Sequence, residues 1–328
     1  MTSSPDNSIG RRDFIGAGIA GAAIAAATTA EGQGAATGAP LEVIDFHNHY
    51  IGPSFADRMN ASTPAQQAVN ANLASPNALI DSLAVAGVAS RVINTPTAFL
   101  EDADGNVPAG LVPRINDAIA DFVGKNPGKL HGLATIDAFS GEAGAREVLR
   151  AIRELKLRGI FIESAKKDML LDAPQVRPTL KAAALLGVPV FVHPLTDPQL
   201  HTRFSKTGPI GQRLARATIN SAALISLIEG GVFEDAPGLK IVVTTLALGG
   251  VLLAGGFGDG QRIRKDAALT ARRHVYVDTM GLNRVQVRAA IDLLGADHVL
   301  MGTDWPIIEE RSVPERLKIA LTHSGLSD

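Results

Sequence analysis

The chain has 328 residues, 46% apolar and 20% charged, the balance of an ordinary soluble globular protein; this argues against a largely disordered chain and a multi-pass membrane protein. Its 31 Lys and Arg against 33 Asp and Glu leave a formal charge of −2, so there is no basic footprint for nucleic acid, and aromatics at 4% offer no stacking platform for single strands. Cysteine is absent, which removes disulfides, thiol catalysis and thiolate metal sites. Any metal must be held by His, Asp or Glu.

At the N-terminus, Gly10-Arg11-Arg12-Asp13-Phe14-Ile15 leads into an Ala/Gly-rich apolar run over 15–27. Paired arginines, a spacer and Phe-Ile before a weakly apolar segment resemble a twin-arginine export signal. The run is shorter than the roughly 20 residues that cross a hydrocarbon core, so no stable membrane span is expected. Thr28 and Ala30 are small enough for a signal peptidase, with a mature start near Glu31. The expected organisation is a signal peptide over 1–30, a Gly/Ala/Thr linker over 31–40 and one folded domain over 41–328. The expected partner in export is the twin-arginine translocase, and the expected location is periplasmic or extracellular in a bacterium.

From residue 41 onward, short β-branched runs alternate with helical patterns. Strands are predicted over 41–47, 90–94, 130–137, 158–163, 188–193, 239–245, 274–279 and 298–303. Helices are predicted over 76–85, 112–125, 142–155, 176–186, 221–230 and 284–294. Runs such as Ile241-Val242-Val243 are apolar without alternation, as strands buried on both faces require. In the last helix Val285, Val287, Ala290, Ile291 and Leu294 fall near helical spacing. Eight such units predict an α/β fold, a (β/α)8 TIM barrel, with a doubly wound open sheet as the competitor. In a barrel, functional residues gather at the C-terminal ends of the strands.

Three predicted strands end in that way. The first closes on His47-Asn48-His49, and in an extended segment both imidazoles project to the same side. The fifth ends at His193 and the eighth runs into Asp304. Three neutral imidazoles and a carboxylate suit one divalent ion, zinc first, with manganese, cobalt or iron also compatible. A water in an open position of such an ion can act near neutral pH.

These residues, with Ile44-Asp45-Phe46-His47-Asn48-His49, Ile115-Asn116-Asp117, Leu130-His131-Gly132-Leu133-Ala134-Thr135, Phe191-Val192-His193-Pro194, Gly230-Gly231-Val232-Phe233-Glu234 and Gly302-Thr303-Asp304-Trp305-Pro306, resemble the amidohydrolase superfamily. The narrower likeness is to the branch of aminocarboxymuconate-semialdehyde decarboxylase and the aromatic-acid decarboxylases. The resemblance implies that His47, His49, His193 and Asp304 ligate a single ion, and that the protein is a homodimer. It implies a carboxy-lyase acting on an aromatic or unsaturated carboxylic acid. One position departs: the family places a histidine at the end of strand six, and here that stretch offers Thr245, Ala247 or Leu248, none of which is a base near neutral pH. Asp304, a proton shuttle in many superfamily hydrolases, and more weakly His201, are the candidates to fill its role.

That gap keeps two alternatives in play, a metal-dependent hydrolase of a lactone, ester or amide, and a non-catalytic ligand-binding barrel. The basic stretch over 201–216 reads as a loop in which Arg203 or Arg213 binds a substrate carboxylate, a task suited to a planar guanidinium. Glu163, at the end of strand four, is a candidate to touch substrate, and Trp305, the only tryptophan, to wall the pocket.

Overall fold

The computed structural model describes residues 42–59, 61, 63–101, 107–254, 266–280, 282–308 and 312–323. The predicted signal peptide and linker lie outside them. Eight parallel strands pair in chain order: β1 (Ile44–His49), β2 (Ser90–Asn94), β3 (Leu130–Thr135), β4 (Gly159–Glu163), β5 (Pro189–His193), β6 (Lys240–Val243), β7 (Val275–Asp278) and β8 (Val299–Leu300). The chain beyond β8 returns to β1: the Phe46 N–H donates to Met301 O at 2.8 Å, Asp304 N–H to His47 O at 2.9 Å, and His49 N–H to Trp305 O at 2.8 Å. The sheet is thereby a (β/α)8 barrel, not an open sheet.

Strand alternation divides the core in two. Phe46, Val92, Leu133, Phe161, Phe191, Val242, Tyr276 and Leu300, one from each strand, form one cluster inside the barrel. Their neighbours Ile93, Ile160, Val190, Ile241 and Val275 belong to the larger cluster between sheet and helices. With a side-chain period of two, the next inward position on β2, β4, β5 and β7 is Asn94, Glu163, His193 and Asp278. The polar floor of the site therefore lies one layer above an apolar plug.

Helix boundaries follow local chemistry. The helices Pro76–Ala86 and Arg177–Leu186 end at Gly87 and Gly187, whose φ values of 73° and 66° allow the left-handed turn back to the sheet. The stretch expected to be a basic loop is helical instead, as Pro198–Phe204 and Pro209–Glu229. Each begins with a proline in its first turn, and the Asp197 side chain caps the first by accepting from Leu200 N–H at 2.7 Å. The second helix therefore starts well before the predicted 221–230.

A buried polar cluster ties the barrel seam. Asp45 and Arg91 face each other in the β1–β2 register, and Arg91 Nη1 donates to Asp45 Oδ2 at 2.5 Å with both side chains at most 1% exposed. The same carboxylate accepts the Thr303 N–H at 3.0 Å and the Thr303 hydroxyl at 2.6 Å, and Arg91 also donates to Asn48 Oδ1. The Arg91 guanidinium lies 5.5 Å from the Trp305 ring. The register irregularity of β1 between Asp45 and Asn48 is spanned by Asn48 Nδ2 donating to Asp45 O at 2.8 Å. Removing one partner strands the other charge in the interior. Arg91→Ala is expected to destabilise the fold by about 3–5 kcal/mol, read as a lowered urea midpoint.

Candidate metal centre and its cavity

His47 and His49, two residues apart on β1, bring their Nε2 atoms to 3.2 Å from each other. Asp304 Oδ1 lies 3.4 Å from the first and 3.2 Å from the second. His193 joins from β5, and a ligand atom from each of the three histidines lies within 4.8 Å of the others. All three imidazoles are buried, at 5% exposure or less.

Each imidazole is held from behind. His47 Nδ1 is 2.6 Å from Asp278 Oδ2, His49 Nδ1 is 2.8 Å from Asn94 Oδ1, and His193 Nδ1 is 3.4 Å from Glu163 Oε2. A carboxylate oxygen and an amide oxygen only accept, so they assign the hydrogen of His47 and of His49 to Nδ1 and leave lone pairs on the two Nε2 atoms. Two lone pairs and a carboxylate oxygen then converge at close range, an arrangement that requires a cation or a shared proton. The donor set of three imidazoles and one carboxylate, with outer partners orienting the rings, fits a divalent metal ion.

The approach of Asp304 depends on its neighbours. Its φ of 67° is left-handed, a conformation held by Asp304 N–H to His47 O and by Ile307 N–H to Asp304 O at 2.8 Å. At Gly302 an added Cβ would stand 2.7 Å from the Cβ of His47 and 3.2 Å from that of Asp278, so only glycine fits between the ring and its carboxylate. Electrostatics vary among the rings. Burial disfavours the His47 cation, but Asp278 and Asp304 outweigh it and raise its pKa. Burial, with His49 and Arg216 adding, holds His193 well below the ordinary range. Burial and the neighbouring Glu101 push the Glu163 carboxyl up to about 7.

The cluster opens on a cavity of about 470 Å3, whose wall includes Glu163, Lys166, Lys167, Arg216 and Asp304. Glu163 thus stands on the cavity wall, where its Oε1 accepts from the Thr97 hydroxyl at 3.3 Å. The other predicted contacts fall elsewhere. Arg203 lines a separate surface pocket with Pro198, Gln199 and Thr202, and Arg213 is exposed. His201 is half-buried on its short helix and does not line the cavity. Trp305 is 5% exposed and packs against Arg91 instead of walling the pocket.

Arg216 is the guanidinium that enters, with Nη2 at 3.2 Å from His193 Nε2. Helical geometry selects it: Asn220, one turn on, bonds Val192 O at 3.3 Å and Thr244 Oγ1 at 3.0 Å, so the Arg216–Asn220 face turns to the barrel. A stretch read as loop carries no such periodicity, so the sequence does not separate Arg216 from Arg203 and Arg213. At the end of β6, Thr245 is buried and its N–H donates to Asp278 Oδ1 at 3.2 Å, so this position supports the carboxylate behind His47. The inward parity of the strands is the signal that would have singled out Asn94 and Asp278.

A (β/α)8 barrel with a buried imidazole–carboxylate cluster at the C-terminal ends of its strands defines the class as that of the metal-dependent barrel hydrolases and lyases. Residues 44–327 match the amidohydrolase family model, and the chain belongs to that family. It is similar to 2-amino-3-carboxymuconate-6-semialdehyde decarboxylase of Dictyostelium discoideum, 26% identical over 260 residues, which cover 76% of this chain and 71% of that protein. It is also similar to gamma-resorcylate decarboxylase of Rhodococcus jostii, 28% identical over 250 residues, covering 66% and 75%. Among solved structures, the 5-carboxyvanillate decarboxylase of Novosphingobium aromaticivorans, complexed with manganese and 4-hydroxy-3-methoxy-5-nitrobenzoic acid, superposes with a TM-score of 0.73 at 20% identity, covering 87% of this chain and 93% of that one. That likeness carries the fold.

Asp278→Ala removes the acceptor behind His47 without replacing a proposed ligand. Metal affinity is expected to fall by about 10–100-fold, measured by competition with a chromophoric chelator, with the far-ultraviolet circular dichroism unchanged.

Proposed function

We propose that the protein is a metal-dependent carboxy-lyase that releases carbon dioxide from an aromatic or unsaturated carboxylic acid, with zinc as its ion. The observation that carries this reading is the meeting of three imidazoles, His47, His49 and His193, with Asp304 Oδ1 3.4 Å and 3.2 Å from the first two, at the floor of a cavity that also holds a guanidinium. The decarboxylase names of the similar proteins support the choice of reaction.

His47, His49, His193 and Asp304 are the residues that would hold the ion. When bound, it supplies positive charge that polarises a substrate oxygen. Asp278 and Asn94 keep two of the rings turned with Nε2 toward the ion position. In the reaction the bond from carbon to the carboxyl group breaks, carbon dioxide leaves, and the electron pair left on carbon takes a proton. Asp304 would move that proton, a role supported by its place on the cavity wall, 3.2 Å from His49 Nε2. The apolar plug under the floor excludes water from below.

Hydrolysis of a lactone, ester or amide is the second reading, favoured by one observation: no histidine lies between His201 and His274, so the stretch after β6, with Thr245, Ala247 and Leu248, offers no imidazole base. The product separates them. Metal-loaded protein is expected to release carbon dioxide from a panel containing 2,6-dihydroxybenzoate and 5-carboxyvanillate. Chelation is expected to abolish the activity, and His193→Ala to lower it by more than the about 100-fold loss typical of an outer-shell position. Acid released from lactones or esters without carbon dioxide would reverse the assignment.

The paired arginines support export as an already folded protein. Replacing both, R11K with R12K, is expected to hold the protein in the cytoplasm on cell fractionation. The support for a homodimer is the family resemblance, and sedimentation tests it.

A further inference from the structure

The cavity changes character from floor to mouth. His49, His193, Arg216 and Asp304 line it with polar groups, whereas Phe99, Leu195, Pro198 and Ile307 line it with apolar surface. The strand ends fix which set stands higher. Phe99 follows Asn94, the last residue of β2, by five positions, and Leu195 and Pro198 follow His193, the last of β5, by two and five. Ile307 follows Asp304 by three. In a barrel whose site lies at the C-terminal strand ends, these four residues stand above the imidazoles, toward solvent.

The rim is held by backbone and capping contacts. Leu195 N–H donates to the Ser164 hydroxyl at 3.3 Å, and Ile307 N–H to Asp304 O at 2.8 Å. Pro198 opens the helix Pro198–Phe204, which the Asp197 side chain caps. An apolar group docking there therefore loses little to ordering the protein. Ile307 is 44% exposed, a large aliphatic side chain left against water at the mouth, and Phe99 and Leu195 are half-buried. One exposed aliphatic residue needs no explanation. Apolar surface brought to a single cavity by the loops after β2, β5 and β8 marks a ligand.

Size is a second observation. A volume of about 470 Å3 falls in the range of roughly 300–1,000 Å3 that buries a drug-sized ligand, and a one-ring acid is well short of that size. The chemistry places the other end of the substrate. The carbon that loses carbon dioxide has to meet the imidazole cluster and Asp304 at the floor. A one-ring acid held there leaves the rim wet, and apolar surface that stays wet contributes nothing to binding.

On the reading of the site as a decarboxylase, we propose that the substrate carries a second apolar unit, a fused or attached ring, that lies against Leu195, Pro198 and Ile307. The substrate class is then a bicyclic or aryl-substituted carboxylic acid. The second unit is unchanged by the reaction, so its contacts are equal in ground and transition states and lower KM without raising kcat.

The test is calorimetric binding to metal-loaded protein, with benzoate and biphenyl-4-carboxylate as unreactive probes. Wild type is expected to bind the biphenyl acid at least about tenfold tighter, the effect of burying one more ring. Ile307→Ser is expected to lower that preference severalfold, and Ile307→Ser combined with Leu195→Ser to abolish it. Benzoate affinity and metal content per chain are expected to stay unchanged in both. Ile307→Leu, which keeps the apolar area, is expected to keep the preference. A wild type that does not discriminate, a preference that survives in the double variant, or an equal loss of benzoate affinity would overturn the proposal. An Ile307-dependent preference in a protein that releases no carbon dioxide from any acid of the panel would retire the decarboxylase reading and leave the apolar subsite standing. Carbon dioxide release with an equal KM for one-ring and aryl-substituted acids, in wild type and in Ile307→Ser, would do the reverse.

Discussion

The ion pair between Asp45 and Arg91 indexes the site. The two residues are register partners on adjacent strands, and the Asp45 carboxylate also captures Thr303 from the far side of the barrel seam, its Oδ1 accepting the backbone N–H and its Oδ2, shared with Arg91, the hydroxyl. One carboxylate thus aligns β1 with β2 and with the chain leaving β8. His47 follows Asp45 by two positions and Asp304 follows Thr303 by one, so the alignment that closes the barrel also sets the imidazoles against their carboxylate. Two charges this deeply buried are a poor source of net stability, because desolvation offsets most of their attraction. Their contribution is register: a slip by one residue would turn His47 and His49 to the opposite face.

Above that seam the protein keeps an arrangement of like groups that is costly without a cation. Two imidazole lone pairs and a carboxylate oxygen meet within 3.4 Å, each ring locked from behind by an acceptor that prevents it from turning away. The left-handed backbone at Asp304 and the absence of a side chain at Gly302 belong to the same design. Where a folded protein holds acceptors so close, binding of an ion stabilises the fold as well as the chemistry.

The cavity outside the cluster draws on the chain after β6 and on the helix Pro209–Glu229. Thr245 supports the cluster from behind: its N–H donates to Asp278, which in turn holds His47. The positive charge comes instead from a helix, where Arg216 and Asn220 share the inward face.

The sequence alone was sufficient for the barrel and for the approximate position of the chemistry. Continuous β-branched runs such as Ile241-Val242-Val243 mark strands buried on both faces, and His47-x-His49 at a strand end has its geometry built in by the period of two. Those are local properties, carried by the chain however it folds. What the tertiary structure decided is every choice between equivalent residues. Arg203, Arg213 and Arg216 are alike in sequence, and only a helix beginning at Pro209, packed on the barrel through Asn220, selects the third. Asp278 and Asn94 likewise become ring acceptors only because β7 and β2 bring them behind β1 histidines far away along the chain. Trp305 follows the proposed ligand directly yet turns to Arg91, because the backbone reverses at Asp304. Local periodicity determines which face a side chain takes, and closure of the barrel determines what that face meets.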